Sequence, residues 1–125
     1  MMPARDEYSA EWFAKAGQDL ARVQRRLDEE DIEDAAFHLQ QALEKALKGY
    51  LIGRGWSLRK IHDLEALLDD AIGYEAKLEE FRPLCQEATG YYLVERYPAL
   101  TEGPSRAELD KALQRATTLV RLLQR

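Results

Sequence analysis

Hydrophobic residues recur at helical spacing along nearly the whole chain. Apolar positions of the first run are Trp12, Phe13, Ala16, Leu20, Val23 and Leu27. Ser9 is a suitable residue to cap the start of this helix. No segment alternates Val, Ile, Thr or aromatic residues between turn residues, as a half-buried strand would. The pattern therefore predicts an all-α protein.

A second helical run follows an acidic segment, where Asp31 or Glu33 suits the positive end of a helix. Its apolar positions are Ala36, Leu39, Leu43, Ala46, Leu47 and Tyr50. Gly53 and Gly55 are expected to end this helix, because glycine readily adopts the left-handed conformation that closes helices. A basic loop is expected over residues 54–61.

Three further helices are predicted in the second half of the chain. The third runs from about residue 62 or 63 to residue 72, with Gly73 as its stop. The fourth begins near residue 75 and ends before Pro98, and Pro83 within it predicts a kink or a break. The last begins at Ser105-Arg106-Ala107-Glu108, which has the spacing of a capping box. Long helices with short connections imply an up-down antiparallel bundle of four to five helices.

Composition limits the classes of protein that the chain can represent. With 125 residues, the chain is expected to form one domain over residues 1–125, with a core over about 8–124. A formal charge of -5 argues against a nucleic-acid or membrane binder held by net charge alone. Cys85 is the only cysteine, which excludes an intrachain disulfide and a cysteine-built zinc site. Lacking an apolar leader and a long apolar run, the chain is expected to be cytoplasmic, with no membrane partner.

The second helix also carries an unusual polar face, formed by His38, Gln41, Glu44, Lys45 and Lys48. These side chains fall within an arc of roughly 120°. A nucleotide would find there an amide for a base edge and ammonium groups for phosphates. The alternative is a polar network that is buried, or lies across a dimer seam, and binds nothing.

Two other short segments carry candidate site residues. His62 and Asp63 start the third helix, where they could position an anion. In the simpler interpretation Asp63 caps the helix and His62 anchors the loop. Arg96 and Tyr97 close the fourth helix, and the Arg96 guanidinium suits a phosphate or carboxylate. The alternative for Arg96 is a structural ion pair with Glu44 or Asp63.

Taken in order, the run Ala35 to Lys48, then His62-Asp63-Leu64 and Arg96-Tyr97-Pro98, resembles the HEPN domain, named for higher-eukaryote and prokaryote nucleotide-binding. The resemblance implies a helical bundle that commonly forms a homodimer. It also implies a prokaryotic protein that acts beside a minimal nucleotidyltransferase in a toxin–antitoxin pair. The implied ligands are a nucleotide (ATP or GTP) or RNA, with no obligatory cofactor and no metal. Ligand contact is assigned to His38, Gln41, Glu44, Lys45, Lys48, His62, Asp63, Arg96 and Tyr97.

Some HEPN proteins are metal-independent ribonucleases that carry an arginine, four to six intervening residues and a histidine. This chain departs from that motif, since two residues separate Arg59 from His62 and seven separate Arg54 from His62. Eleven residues separate Arg26 from His38, and no histidine follows Arg96. No catalytic residue is therefore assigned. A metal-independent endoribonuclease toxin stays the first alternative to a binding accessory, and a purely structural dimeric subunit is the second.

Overall fold

The computed structural model of the protein describes residues 5–91 and 103–125. Within these ranges the chain is helical and contains no β-strand, which confirms the predicted all-α fold. The elements are α1 (Arg5–Asp28), α2 (Ile32–Gly53), α3 (Leu64–Ile72), a 3-10 helix (Ala76–Phe81), α4 (Arg82–Ala88) and α5 (Arg106–Leu123). None of the described helices is long and apolar enough to cross a bilayer.

Helix α2 lies at the centre of the bundle, in contact with α1, α3, α4 and α5. Its closest neighbour is α1, and Gly49 permits that approach. A Cβ added at Gly49 would lie 3.0 Å from the Trp12 Cβ. The Ser9 hydroxyl donates a hydrogen bond to the Gly49 carbonyl at 2.7 Å. The expectation that Ser9 caps α1 is wrong, because Ser9 lies inside the helix and binds α2 instead.

The connection between α1 and α2 is short and tightly hydrogen-bonded. Glu30 adopts a positive φ of 61°, which closes α1 in the position that glycine usually occupies. The Asp31 amide donates to the Arg26 carbonyl at 2.8 Å. The Asp31 carboxylate then accepts the Asp34 amide and caps α2, as predicted. This turn fixes the antiparallel arrangement of the two longest helices.

The remaining helix ends follow the sequence signals, and Gly53 is the last residue of α2. Gly55 has a φ of 94°, as expected for a residue that closes α2. Gly73 follows the last residue of α3, so the predicted stop is confirmed, and it adopts a right-handed conformation there. The predicted fourth helix divides into the 3-10 helix and α4, with Pro83 in the first turn of α4. Its predicted end before Pro98 lies outside the described residues.

Helix α5 begins with the capping box that the sequence predicts. The Ser105 hydroxyl accepts the Glu108 amide at 3.1 Å, and the Glu108 carboxylate accepts the Ser105 amide at 3.0 Å. These bonds lower the pKa of Glu108 below its usual value. The buried side of α5 packs against α2 with Leu109, Ala112, Ala116, Leu119, Val120 and Leu123.

Candidate functional site on the polar face of α2

The polar face of α2 is partly buried by the neighbouring elements. Glu44 is 6% exposed and Lys48 is 5% exposed. Because α2 is the central helix, its polar residues meet α1 on one side and the loop before α3 on the other. Glu44 and Lys48 are therefore buried members of a polar network, and ligand contact by this face stays a prediction. Two carboxylates, Asp19 and Glu44, organise the contacts.

The first group, which we call the Asp19 cluster, comprises Asp19, Arg22, His38 and Lys45. Asp19 belongs to α1 and is only 1% exposed. Its carboxylate accepts the Lys45 ammonium at 2.6 Å and contacts the His38 Nδ1 at 2.9 Å. Arg22 adds a third contact at 3.3 Å from the same helix. The buried carboxylate thus fixes two side chains of the polar face against α1.

Further contacts connect the Asp19 cluster to the start of α2. The Nε2 of His38 lies 3.4 Å from the Asp34 carboxylate. That carboxylate accepts the Arg26 Nε at 2.6 Å. The hydrogen bond to Asp34 is the main cause of the raised pKa of Arg26. His38 therefore lies between two carboxylates, and its ring orientation is fixed from both sides.

The second group, the Glu44 cluster, comprises Gln40, Gln41, Glu44, Lys48 and His62. The Glu44 carboxylate accepts the Lys48 ammonium at 3.1 Å and the Gln40 amide at 3.1 Å. It also contacts the His62 Nδ1 at 3.0 Å. The Gln41 amide donates to the Gln40 side-chain oxygen at 2.7 Å. The cluster joins the middle of α2 to the loop before α3.

His62 is the most exposed member of the Glu44 cluster, with a side chain that is 67% exposed. Asp63, the next residue, does not join either cluster. Its carboxylate accepts the Glu65 amide at 3.0 Å and caps α3, as the simpler interpretation predicts. The neighbouring residues thus have different roles, since His62 extends the polar face and Asp63 fixes the helix that follows.

The structure brings together six of the nine predicted site residues, namely His38, Gln41, Glu44, Lys45, Lys48 and His62. Arg96 and Tyr97 lie outside the described residues. Asp19 and Gln40 also belong to these contacts and were not predicted. Asp19 falls three residues after Ala16 and four before Val23, so a carboxylate within an apolar stripe was the available signal. Gln40 precedes Glu44 by four residues, the spacing of a helical side-chain pair.

The arrangement supplies oriented imidazoles and paired ammonium groups. Because a carboxylate accepts hydrogen bonds, the Nδ1 of each histidine acts as an N–H donor to it. This hydrogen bond orients the imidazole ring. The Lys45 and Lys48 ammoniums already have carboxylate partners, so a bound phosphate would share or displace these contacts. Lys45, with a 24% exposed side chain, is more accessible to a ligand than Lys48.

The basic loop before His62 is fixed to the bundle. Trp56 packs against the core, and Arg59 lies 5.7 Å from its ring centre. Arg54 lies 3.5 Å from the ring centre of Tyr50. The Trp56 Nε1 is buried without a hydrogen-bond partner in the part of the chain that the structure describes. Base stacking on Trp56 would therefore compete with the core and with Arg59.

Metal and thiol chemistry receive no support from the described residues. Among them, no group of His, Cys, Asp and Glu side chains could hold a metal ion. Cys85 is buried in the core, and this burial raises the pKa of its thiol to about 12. Because the thiolate is the reactive form, this cysteine is suited to packing and not to nucleophilic chemistry.

Comparisons with known proteins agree with the geometry. The crystal structure of TT1696 from Thermus thermophilus is similar, with a TM-score of 0.76 and 29% sequence identity. The similarity covers 93% of this chain and 95% of that chain. No curated protein matches. The HEPN domain matches residues 9–125, nearly the whole chain, and this protein therefore belongs to the HEPN domain family.

Proposed function

We propose that this HEPN protein is a nucleotide-binding or partner-binding accessory of a minimal nucleotidyltransferase. We further propose that it acts as a cytoplasmic homodimer of a prokaryotic, toxin–antitoxin-like pair, within the single domain of residues 1–125. The observation that carries the proposal is the exposed His62 imidazole, which contacts the buried Glu44 carboxylate at 3.0 Å. A solvent-facing imidazole whose orientation is fixed by a buried carboxylate is suited to recognising a ligand or a partner protein.

The energetics of the Glu44 cluster support a role beyond stability. Burying an ion pair stabilises a fold little, and an apolar pair of similar volume is often as stable. Lys48 and Glu44 nevertheless lie at the centre of the polar face. The buried Glu44 carboxylate holds His62 in position at the surface. Binding sites need side chains that are held in position in this way.

The proposed ligand surface extends from His62 across Gln41 to Lys45 and His38. Gln41 is half-buried, and Lys45 has a 24% exposed side chain that contacts Asp19. ATP, GTP or a segment of the transferase would contact these groups. Arg96 and Tyr97 are proposed to complete the surface. In this proposal Lys48 acts beneath it and does not touch the ligand.

A metal-independent endoribonuclease is the second candidate, and the His62–Glu44 contact is what favours it. A carboxylate at Nδ1 orients the imidazole of many acid–base catalysts. Against it, Arg54 and Arg59, the arginines before His62, each lie over an aromatic ring. The binding accessory accounts for these contacts without requiring either guanidinium to move.

Binding is tested by calorimetry with ATP and with GTP, and by size-exclusion chromatography with the minimal nucleotidyltransferase of the native host. His62→Ala and Lys45→Met are expected to weaken whichever complex forms. Lys111→Met, which removes an exposed ammonium on α5, is the matched control and is expected to bind as the parent does. If neither nucleotide nor transferase binds the full chain, the proposal fails and the structural dimer is favoured.

Cleavage of a labelled RNA in EDTA separates the two candidates. The accessory is expected to leave the RNA intact. Metal-independent cleavage that disappears in His62→Ala, with unchanged folding by circular dichroism, would establish the ribonuclease instead. Sedimentation of the same samples reports whether the protein is a dimer.

A further inference from the structure

Helix α1 carries a second apolar side, next to the side that packs against α2 with Ala16, Val23 and Leu27. Residues spaced three, four and seven positions apart share one side of an α-helix. We call this second side the outer face of α1, and its members are Ala10, Phe13, Ala14, Gly17, Leu20 and Ala21. The three alanines and Gly17 are exposed, whereas the two larger side chains are half-buried. The outer face is therefore an apolar patch that reaches solvent, and such patches commonly mark interaction sites.

Gly17 lies at the centre of the outer face, and packing within the chain does not explain it. Glycine in the interior of a helix is destabilising relative to alanine. At Gly49 a close contact accounts for the glycine, since an added Cβ would lie 3.0 Å from the Trp12 Cβ. An added Cβ at Gly17 would have no atom of the described chain within 4 Å. Close approach by a second molecule accounts for a glycine at this exposed position.

The outer face is complementary to itself when two copies of α1 lie antiparallel with Gly17 on a two-fold axis. Positions equally far before and after Gly17 then lie side by side. Phe13 lies beside Ala21 of the second copy, and Leu20 lies beside Ala14 of the second copy. A large side chain thus meets a small one at each level, as in interdigitated helix packing. A two-fold interface of this kind uses the same surface in both copies.

Charge at the edge of the outer face favours the antiparallel arrangement. Glu7 and Arg25 are about five helical turns apart, so they lie at the same angle around α1. Both are exposed, and neither side chain forms an ion pair with another residue that the structure describes. In the antiparallel pair, Glu7 of one copy and Arg25 of the other differ by about 3 Å along the helix axis. A parallel pair would instead bring like charges together.

We propose that a second copy of this chain docks on the outer face of α1, antiparallel and about a two-fold axis at Gly17. This inference rests on the homodimer of the proposed function, and it names the surface that forms it. Asp19 follows Gly17 by two residues and therefore lies about 200° around α1 from it. The Asp19 cluster faces away from the second copy, so the polar face of α2 stays open to a ligand in the dimer.

Sedimentation of the full-length chain tests the surface. Ala14→Glu places a carboxylate in the contact and is expected to weaken the dimer about 100-fold, because burying an unpaired charge is costly. Ala107→Glu, the same substitution at an exposed position of α5, is the matched control and should dimerise as the parent does. Circular dichroism checks that both variants keep the helical content of the parent.

A disulfide tests the position of the two-fold axis. Cysteines that meet at the axis can be oxidised to a disulfide, which requires their Cβ atoms to lie about 4 Å apart. Oxidised Gly17→Cys is expected to run as a covalent dimer in non-reducing gel electrophoresis. Lys15→Cys, on the opposite side of α1, is the control and should run as a single chain. The native Cys85 is buried and does not compete.

The outcomes separate this inference from the proposed function. A dimer that Ala14→Glu leaves intact, or one that Gly17→Cys does not cross-link, overturns the outer face but leaves the proposed homodimer standing. A parent chain that sediments only as a monomer overturns both. If Ala14→Glu does not fold, Gly17→Cys decides. Binding at His62 is measured separately by calorimetry, and its result does not bear on the outer face.

Discussion

The Asp19 and Glu44 clusters contain the same chemistry in different surroundings. Each has one carboxylate that holds one lysine ammonium and one histidine Nδ1. In the Asp19 cluster the carboxylate is buried but its cations are not, since the Arg22 side chain is 41% exposed and that of Lys45 is 24% exposed. In the Glu44 cluster both members of the ion pair are buried, and the histidine reaches solvent.

The two clusters differ in whether water can replace a lost partner. Around Asp19, water can solvate a cation that loses its carboxylate partner, so the loss of unfolding free energy is limited. Between Glu44 and Lys48, a charge that loses its partner stays in the interior, where desolvation is costly. The Asp19 cluster is therefore suited to joining α1 to α2, and the Glu44 cluster to supporting the surface position of His62.

Lys48→Met is expected to have the largest effect on stability. It leaves the Glu44 carboxylate buried beside Gln40 and His62 without an ammonium, and about 3 kcal/mol of unfolding free energy should be lost. Urea denaturation followed by circular dichroism measures this loss. Lys45→Met is the matched control and should cost about 1 kcal/mol, because Arg22 stays with Asp19. Equal losses of unfolding free energy in the two variants would show that the two clusters do not differ in this respect.

A double variant tests the interaction between Glu44 and Lys48 directly. Glu44→Leu combined with Lys48→Met removes both buried charges and is expected to be more stable than Lys48→Met alone by about 1–3 kcal/mol. The measurement is a double-mutant cycle in urea. Additive losses would mean that the two side chains do not interact.

Asp19→Asn is expected to cost about 1–2 kcal/mol, since an amide still accepts hydrogen bonds but no longer neutralises Lys45. Asp28→Asn, an exposed change on the same helix, serves as the control and should be nearly neutral. Thermal unfolding of both variants gives the comparison. A loss at Asp19 no greater than at Asp28 would show that the cluster does not join the helices.

His62→Ala is expected to have the smallest effect on stability, less than about 1 kcal/mol, because the side chain is mostly exposed and its contact is screened by solvent. Its effect on ligand or transferase binding should instead be the largest of the four. Urea denaturation and calorimetry on the same sample test both statements. A large loss of stability with unchanged binding would assign His62 to the fold.

Much of the fold followed from local signals. Asp31, Asp63, Gly55 and the Ser105–Glu108 capping box act where the sequence placed them, since caps depend on residues within one turn. Ser9 did not, because a hydroxyl that suits a cap also suits a contact with the Gly49 carbonyl 40 residues away. The residues next to Ser9 do not determine whether its hydroxyl caps α1 or binds the Gly49 carbonyl.

The candidate site was predictable where its contacts follow helical spacing. Glu44 and Lys48, which were predicted, and Gln40, which was not, are spaced four positions apart, and such pairing is a property of any α-helix. Asp19 reaches Lys45 across 26 positions. That contact depends on the packing of α1 against α2, which no periodicity in either helix specifies.

The helical class, the HEPN family and the polar side chains along α2 could all be predicted from the amino-acid sequence, because spacing and caps act within a few residues. The central position of α2, the division of its polar face between Asp19 and Glu44, and the surface position of His62 depend on how the helices pack together. The physical reason is that burial, and with it the energy of each charge, depends on which elements pack against it.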